Sequence, residues 1–282
     1  MRFEHQSLRQ GLVGAWCPSL GASGLSLIDR SGLNNHGTLT NMAGQDNWQA
    51  SGSGVALNFD GTDDYVVGTQ SFTGTQVTFS VWAYFRTNPT NYPVVLQLRR
   101  STGANAVHSV QMLHRPNGDT FGGGSGSRIV FAVNGATTNS SFPRVALTAL
   151  RWNHYCGTYN GATISLYENG VLALSSSFTT AISGGMNQLN IGNNLANAAD
   201  GYLNGFVDDI RIYSRALTLA EIRLLASRRG IGLTPMPDRA AGLPRKLSIN
   251  VGGVWRPADA YINVGGTWKL AQASTNVAGV WK

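Results

Sequence analysis

The sequence predicts an all-β domain closed by one short helix, on three observations. Short runs of alternating apolar and polar residues recur along most of the chain. Turn residues separate them, with 35 glycines among 282 residues. One stretch changes period. Residues 205–213 alternate as a strand, and residues 214–222 then turn helical, with Thr218 and Glu221 at capping-box spacing. Leu217, Ile222 and Leu225 follow at helical spacing, and Gly230 is the expected stop. On strict alternation Phe206, Asp208, Ile210 and Ile212 share one face of the strand, and Val207, Asp209, Arg211 and Tyr213 the other. An acid beside Phe206 and Ile210 needs either loop backbone or a metal as partner.

The other elements follow in order. Residues 11–16 form a short apolar strand, and residues 26–39 are dense in turn formers around Asp29, Ser31, Gly32, Asn34, Asn35, His36 and Gly37. Residues 55–67 read as strand, turn at Asp60-Gly61, strand. Residues 77–85 alternate best, with Val77, Phe79, Val81, Ala83 and Phe85 on the apolar face and Trp82 opposite Phe79. Further strands are expected at 94–98, 110–113 and 129–133, with a flexible glycine loop at 118–127 that lacks phosphate-binding spacing. Residues 152–159 and 162–167, an Asn169-Gly170 turn and residues 171–174 give a strand and a hairpin, and 189–192 begins another strand.

Charge and targeting signals narrow the class. The net charge is +7, but residues 1–226 carry 13 Arg against 12 Asp and Glu, while residues 227–282 carry 8 Lys and Arg against 2 Asp. Basicity is thus a property of the tail, which reads either as a solvated linker or as a segment that docks on an acidic surface or polyanion. No nucleic-acid motif is present, so nucleic acid is not an expected partner. No apolar run reaches 18 residues, so no membrane span is expected, and the first eight residues lack an apolar signal core. Cys17 and Cys156 read as two buried thiols, with one disulfide as the alternative.

The ordered set of motifs is specific. It comprises Asp29-Arg30-Ser31-Gly32 with Asn35-His36-Gly37, Phe59-Asp60-Gly61 with Asp64-Tyr65-Val66, and Phe79-Ser80-Val81-Trp82. Trp152-Asn153-His154-Tyr155, Leu166-Tyr167-Glu168-Asn169-Gly170 and Asp208-Asp209-Ile210-Arg211-Ile212-Tyr213 complete it. With these the chain resembles the laminin-G-like, concanavalin-A-like jelly-roll family over roughly residues 10–226. The resemblance implies a two-sheet antiparallel jelly-roll sandwich, assigned here to residues 1–226.

Residues 227–246 read as a basic Pro/Gly linker, and residues 247–282 hold three copies of a 13-residue unit. Asn250, Asn263 and Asn276 keep step with Trp255, Trp268 and Trp281. Units this short cannot enclose a core, so Trp255, Arg256, Trp268, Lys269, Trp281 and Lys282 are expected at a partner interface. The repeats are similar to Gly-Gly-x-Trp-Lys units at the ends of bacteriophage tail and structural proteins.

Chemistry is sparse. The chain has only Glu4, Glu168 and Glu221, with no Glu-x-Asp-x-Glu, so the paired carboxylates of glycoside hydrolysis are not visible. His36, His108, His114 and His154 show no metal or triad spacing, and His154 reads as structural. Relatives implied by the resemblance hold calcium between loops. Asp29, Asn35 and Asp208, with Asp60, are the candidate ligands for a structural calcium ion. Trp48, Tyr92 and Tyr202 read as loop anchors rather than sugar platforms. The resemblances together imply a non-enzymatic bacteriophage virion protein, a capsid decoration, head fibre or tail fibre. It would be assembled in the host cytoplasm, with a lectin-like head toward host-surface glycans. The tail would bind other virion proteins and make the chain a homo-oligomer on the particle. The alternative is an extracellular carbohydrate-binding or adhesion module.

Overall fold

The computed structural model describes residues 5–42, 47–51, 54–101, 109–117, 126–134, 142–194 and 201–233, and the strand backbones between 247 and 281. Two compact units result, Phe3–Thr234 and a second unit of Pro235–Lys282 with Met1–Arg2.

The larger unit runs through β1 (Leu12–Trp16), β2 (Ser26–Leu27), β3 (Gly37–Thr40), β4 (Trp48–Ala50), β5 (Val55–Asp60) and β6 (Tyr65–Phe72). It continues through β7 (Val77–Phe85), β8 (Val94–Arg99), β9 (Ser109–Arg115), β10 (Arg128–Val133) and β11 (Arg144–Ala146). Then come β12 (Trp152–Tyr159), β13 (Thr163–Glu168), β14 (Val171–Ser177), β15 (Met186–Ile191), β16 (Asn204–Tyr213) and α1 (Leu219–Ser227). One sheet has the order β14-β13-β12-β7-β16-β5-β4, with β1 also on β16, and the other β11-β10-β9-β8-β15-β6-β3-β2. All pairings are antiparallel, so the expected sandwich with one helix is the structure found.

The alternation of β7 makes the core. Val77, Phe79, Val81, Ala83 and Phe85 are buried between the sheets, against Leu98, Met112, Phe131 and Ile191 of the other sheet. Phe79 meets Phe131 edge-on at 5.8 Å. Gly157 makes room for that contact, since a Cβ there would fall 2.2 Å from the Phe131 ring. Trp82 lies on the opposite face, with its indole N–H on the carbonyl of Leu225.

A second apolar cluster sits outside the first sheet. Cys17, Cys156, Tyr213, Leu217, Ile222 and Leu225 belong to it, together with Ile231 and Leu233. The capping box at Thr218 and Glu221 forms as expected and starts α1 over this cluster. Both thiols are free and buried. The expected linker starts at 227, yet the compact body runs on to Thr234 because Ile231 and Leu233 are buried on it.

Strict alternation fails in β16. Asp208 lies opposite Trp82 and Arg211 opposite Ser80, so three steps on β16 match two on β7. Asp209, at φ +44°, takes up the extra residue as a β-bulge. The bulge shifts the phase. Val207, Ile210 and Ile212 enter the inter-sheet core, while Phe206, Asp208, Asp209, Arg211 and Tyr213 point outward. The expected grouping of Asp208 with Ile210 and Ile212 is thereby corrected.

In the tail, β17 (Leu247–Val251) pairs with β18 (Val254–Ala258), β19 (Tyr261–Val264) with β20 (Thr267–Leu270), and β21 (Asn276–Val277) with β22 (Val280–Trp281). Asn250, Asn263 and Asn276 stand opposite Trp255, Trp268 and Trp281, so each 13-residue unit is a hairpin in the same register. Among the described residues each hairpin pairs only within itself. Lys282 lies outside the described residues, as do the side chains of Trp255, Arg256, Trp268, Lys269 and Trp281.

Phe79→Ala should cost about 3–5 kcal/mol in urea unfolding, because it empties the centre of the inter-sheet core. A loss under about 1 kcal/mol would mean that the side chain does not bridge the sheets.

Candidate functional site

The predicted ligands fall into separate networks. Asp29 accepts the N–H of Ala15 (2.9 Å) and Ser31 (2.8 Å) on one oxygen, and Ser31 Oγ (2.7 Å) and the N–H of Asn35 (2.9 Å) on the other. The Asn35 amide donates to Val13 O, and its own carbonyl accepts the Trp16 indole N–H. This clasp ties the turn-rich loop to β1. Its donors are N–H and O–H groups, whereas calcium wants six to eight oxygens.

Asp60 caps its own turn, accepting the N–H of Thr62 at 2.7 Å. Asp64 accepts the N–H of Asp60 at 2.9 Å, and burial raises its pKa. Carboxylate oxygens of Asp60, Asp63 and Asp64 lie within 4.8 Å of one another.

Asp208 and Asp209 are brought onto one face by the bulge. Asp208 accepts the N–H of Ser19 (3.1 Å) and Asp209 (2.8 Å), and Arg229 approaches its other oxygen at 3.4 Å. Burial is the main reason its pKa is pushed up to about 6. Asp209 holds the buried Arg211 through two bonds of 2.6 and 2.9 Å and also accepts the N–H of Gly230. Arg211 in turn donates to Ile231 O at 2.7 Å. Its pKa rises despite burial, held up by Asp209. Strict alternation already sets Asp209 and Arg211 on one face without pairing them, and the bulge turns that face away from the inter-sheet core.

Glu168 and Glu221 lie on different elements. Glu221 is bound by Arg215 at 2.6 Å and by Thr218, which hold it down at about 2. Glu168 ends β13, and burial raises it. His154 is fully buried beside Ser80, and burial holds it down at about 3. His114 bonds Asn91 O and Ser127 Oγ, with burial lowering it to about 4. Both are structural in their surroundings, while His108 lies outside the described residues.

Beyond Trp82 the outer face of the first sheet changes character. The register sets Trp152 opposite Tyr84, Tyr84 opposite Phe206, and Phe206 opposite Asn58. Ring centroids are 6.0 Å apart for Trp152 and Tyr84 and 5.6 Å for Tyr84 and Phe206. All three rings belong to half-buried residues. The Arg86 guanidinium lies 4.3 Å over Phe206 and that of Arg229 lies 4.2 Å over Trp152. The predicted loop anchors behave otherwise: Trp48 bonds Gly24 O, and Tyr92 lies under Arg115. Tyr202 pairs with Asn193. Three strands contribute the row, so only their pairing reveals it.

The fold and its outward-facing sheet define a jelly-roll sandwich of the lectin type. Residues 59–223 match the family model described as the concanavalin A-like lectin/glucanases superfamily, and the chain belongs to that family. No curated protein sequence matches the chain. Among solved structures it is similar to domain 4 of AbnA, an extracellular arabinanase from Geobacillus stearothermophilus in complex with arabinotriose. That match has TM-score 0.56 and 17% identity, over 77% of this chain and 98% of that one. It is similar also to the receptor binding domain of botulinum neurotoxin C/D mosaic serotype, with TM-score 0.53 and 14% identity, over 77% of this chain and 51% of that one. The Trypanosoma rangeli sialidase in complex with sialic acid gives TM-score 0.53 and 15% identity, over 77% and 32%. This chain thus spans about half of the toxin domain and a third of the sialidase.

Asp208 gives a pH prediction. Its pKa is raised on folding, so the native state binds that proton more tightly than the unfolded chain. Its contribution to stability is full below the ordinary value of 3.8 and is lost as pH rises through about 6. Asp208→Asn should therefore flatten the decline in melting temperature between pH 4 and 6. An unchanged slope would place the titrating group elsewhere.

Proposed function

We propose that this chain is a non-enzymatic structural protein of a bacteriophage virion, with a glycan-binding jelly-roll head and a tail that attaches it to other virion proteins. The observation that carries the reading is the tail. Three hairpins in one register, each paired only with itself among the described residues, form too small a unit to fold on its own burial. They call for an outside partner, and the net charge of residues 227–282 favours an acidic one. Membership of a family that includes lectins supports a head that binds glycans, and Glu221 is held by Arg215 beside its helix cap, on a different element from Glu168. Cutting the chain near residue 240 should leave a folded, soluble head that no longer incorporates into particles. A truncated head that incorporates normally would refute anchoring by the tail.

A structural calcium ion is part of this proposal, placed at the turn where Asp60 meets Asp63 and Asp64. Calcium added after EDTA should raise the melting temperature, and Asp63→Asn should abolish the rise. The absence of any shift would remove the ion from the account.

A further inference from the structure

We propose that the row Trp152–Tyr84–Phe206, with Arg86 beside it, binds an acidic oligosaccharide. The inference rests on the glycan-binding reading above and adds to it a place and a ligand class.

The solvent face of an antiparallel sheet ordinarily reads polar. Here one part of that face is covered by α1 and the segment after it, with the Trp82–Leu225 bond at the border. The next row outward carries an indole, a phenol and a phenyl ring on adjacent strands, none of them fully buried. Strands lie about 4.8 Å apart, close to the repeat of a pyranose chain, so successive sugars crossing the strands would meet successive rings. Sugar rings have apolar C–H faces and hydroxyl rims, which suits aromatic rings bordered by polar groups.

The row is held in place before any ligand arrives. The Arg229 side chain is only 7% exposed and is fixed by Ser51 O, Ser51 Oγ and Asp208. It packs on Trp152 and Trp82 and so limits the motion of both. A fixed platform loses little freedom on binding.

Arg86 supplies the charge argument. It donates to Phe59 O at 2.8 Å, to Asn204 Oδ1 at 3.2 Å and to Asn58 Oδ1. All three acceptors are neutral, and they use three of its five N–H donors. Two donors and a full positive charge therefore remain beside the rings, on a half-exposed residue that meets no carboxylate among the described residues. Asp60, at the end of the same β5, turns its carboxylate into its own loop. A ligand carboxylate would complete the guanidinium, and charge-assisted bonds of this kind are the strong ones.

The test uses the full chain and an array of acidic bacterial-surface oligosaccharides, each printed beside its carboxyl-reduced form. The strongest hit is then titrated by tryptophan fluorescence. Wild type should bind an acidic form at least tenfold more tightly than its reduced form. Tyr84→Ala, Trp152→Ala and Arg86→Gln should each weaken that binding at least tenfold with the melting temperature kept. Leu172→Ser, on the exposed edge strand β14, should change nothing. If an alanine variant unfolds, Tyr84→Phe and Trp152→Phe serve instead and should retain most of the binding, while Arg86→Gln still should not. Binding that survives Tyr84→Ala, Trp152→Ala and Arg86→Gln, or survives Arg86→Gln where the phenylalanine variants are used, would overturn the location, and equal binding of the reduced form would overturn the acidic class. Silence across the whole array would instead overturn the glycan-binding reading itself and leave the row to a protein partner.

Discussion

The buried pair of Asp209 and Arg211 is the constraint on which the outer half of the head depends. Arg211 is fully buried, and a guanidinium without a partner there would carry a large desolvation cost. Asp209 stands two residues before Arg211 and so shares its face, and the bulge turns that face outward, where Asp209 binds the guanidinium twice. Both members then use their spare capacity on the chain after α1, through Gly230 N–H and Ile231 O. That segment lays Ile231 and Leu233 into the cluster around Tyr213 and Cys156. A backbone irregularity in one strand thus fixes how the second apolar cluster is closed.

The same closure divides the outer face in two. Arg229 lies within the docked segment, next to Gly230, and reaches both Asp208 and the rings of Trp82 and Trp152. Behind it the face is buried under α1; ahead of it the aromatic row stays half-exposed. Asp208 is costly to keep ionised, since burial raises its pKa, and the N–H groups of Ser19 and Asp209 offset part of that cost while Arg229 lies 3.4 Å from its other oxygen. The electrostatics that seal the covered half therefore also immobilise the edge of the open half.

Local pattern made most of the fold legible. The alternation of residues 77–85, the Asn169-Gly170 turn and the Thr218–Glu221 capping box each correspond to elements of the structure. What pattern could not carry was anything that depends on pairing. Strict period-two reading put Asp208 with Ile210, because a bulge leaves no mark in a sequence beyond an Asp able to adopt positive φ. The end of the body at Thr234 was hidden for a similar reason: Ile231 and Leu233 sit among Arg and Gly residues typical of a linker. The aromatic row was hidden too, since Tyr84, Trp152 and Phe206 are neighbours only once β7, β12 and β16 are in register.

Head and tail are ordered by different means. The head encloses an inter-sheet core and a second cluster, so its strands are stabilised by burial within one chain. Among the described residues each tail hairpin pairs only within itself, through its own ladder. On the proposed attachment, a partner that contacts the hairpin form would shift the equilibrium toward it. Three copies in one register add a further consequence. On that same proposal, seating the first hairpin would let the second and third dock at high effective concentration, so individually weak contacts would sum to firm attachment where the partner repeats its own site at matching spacing.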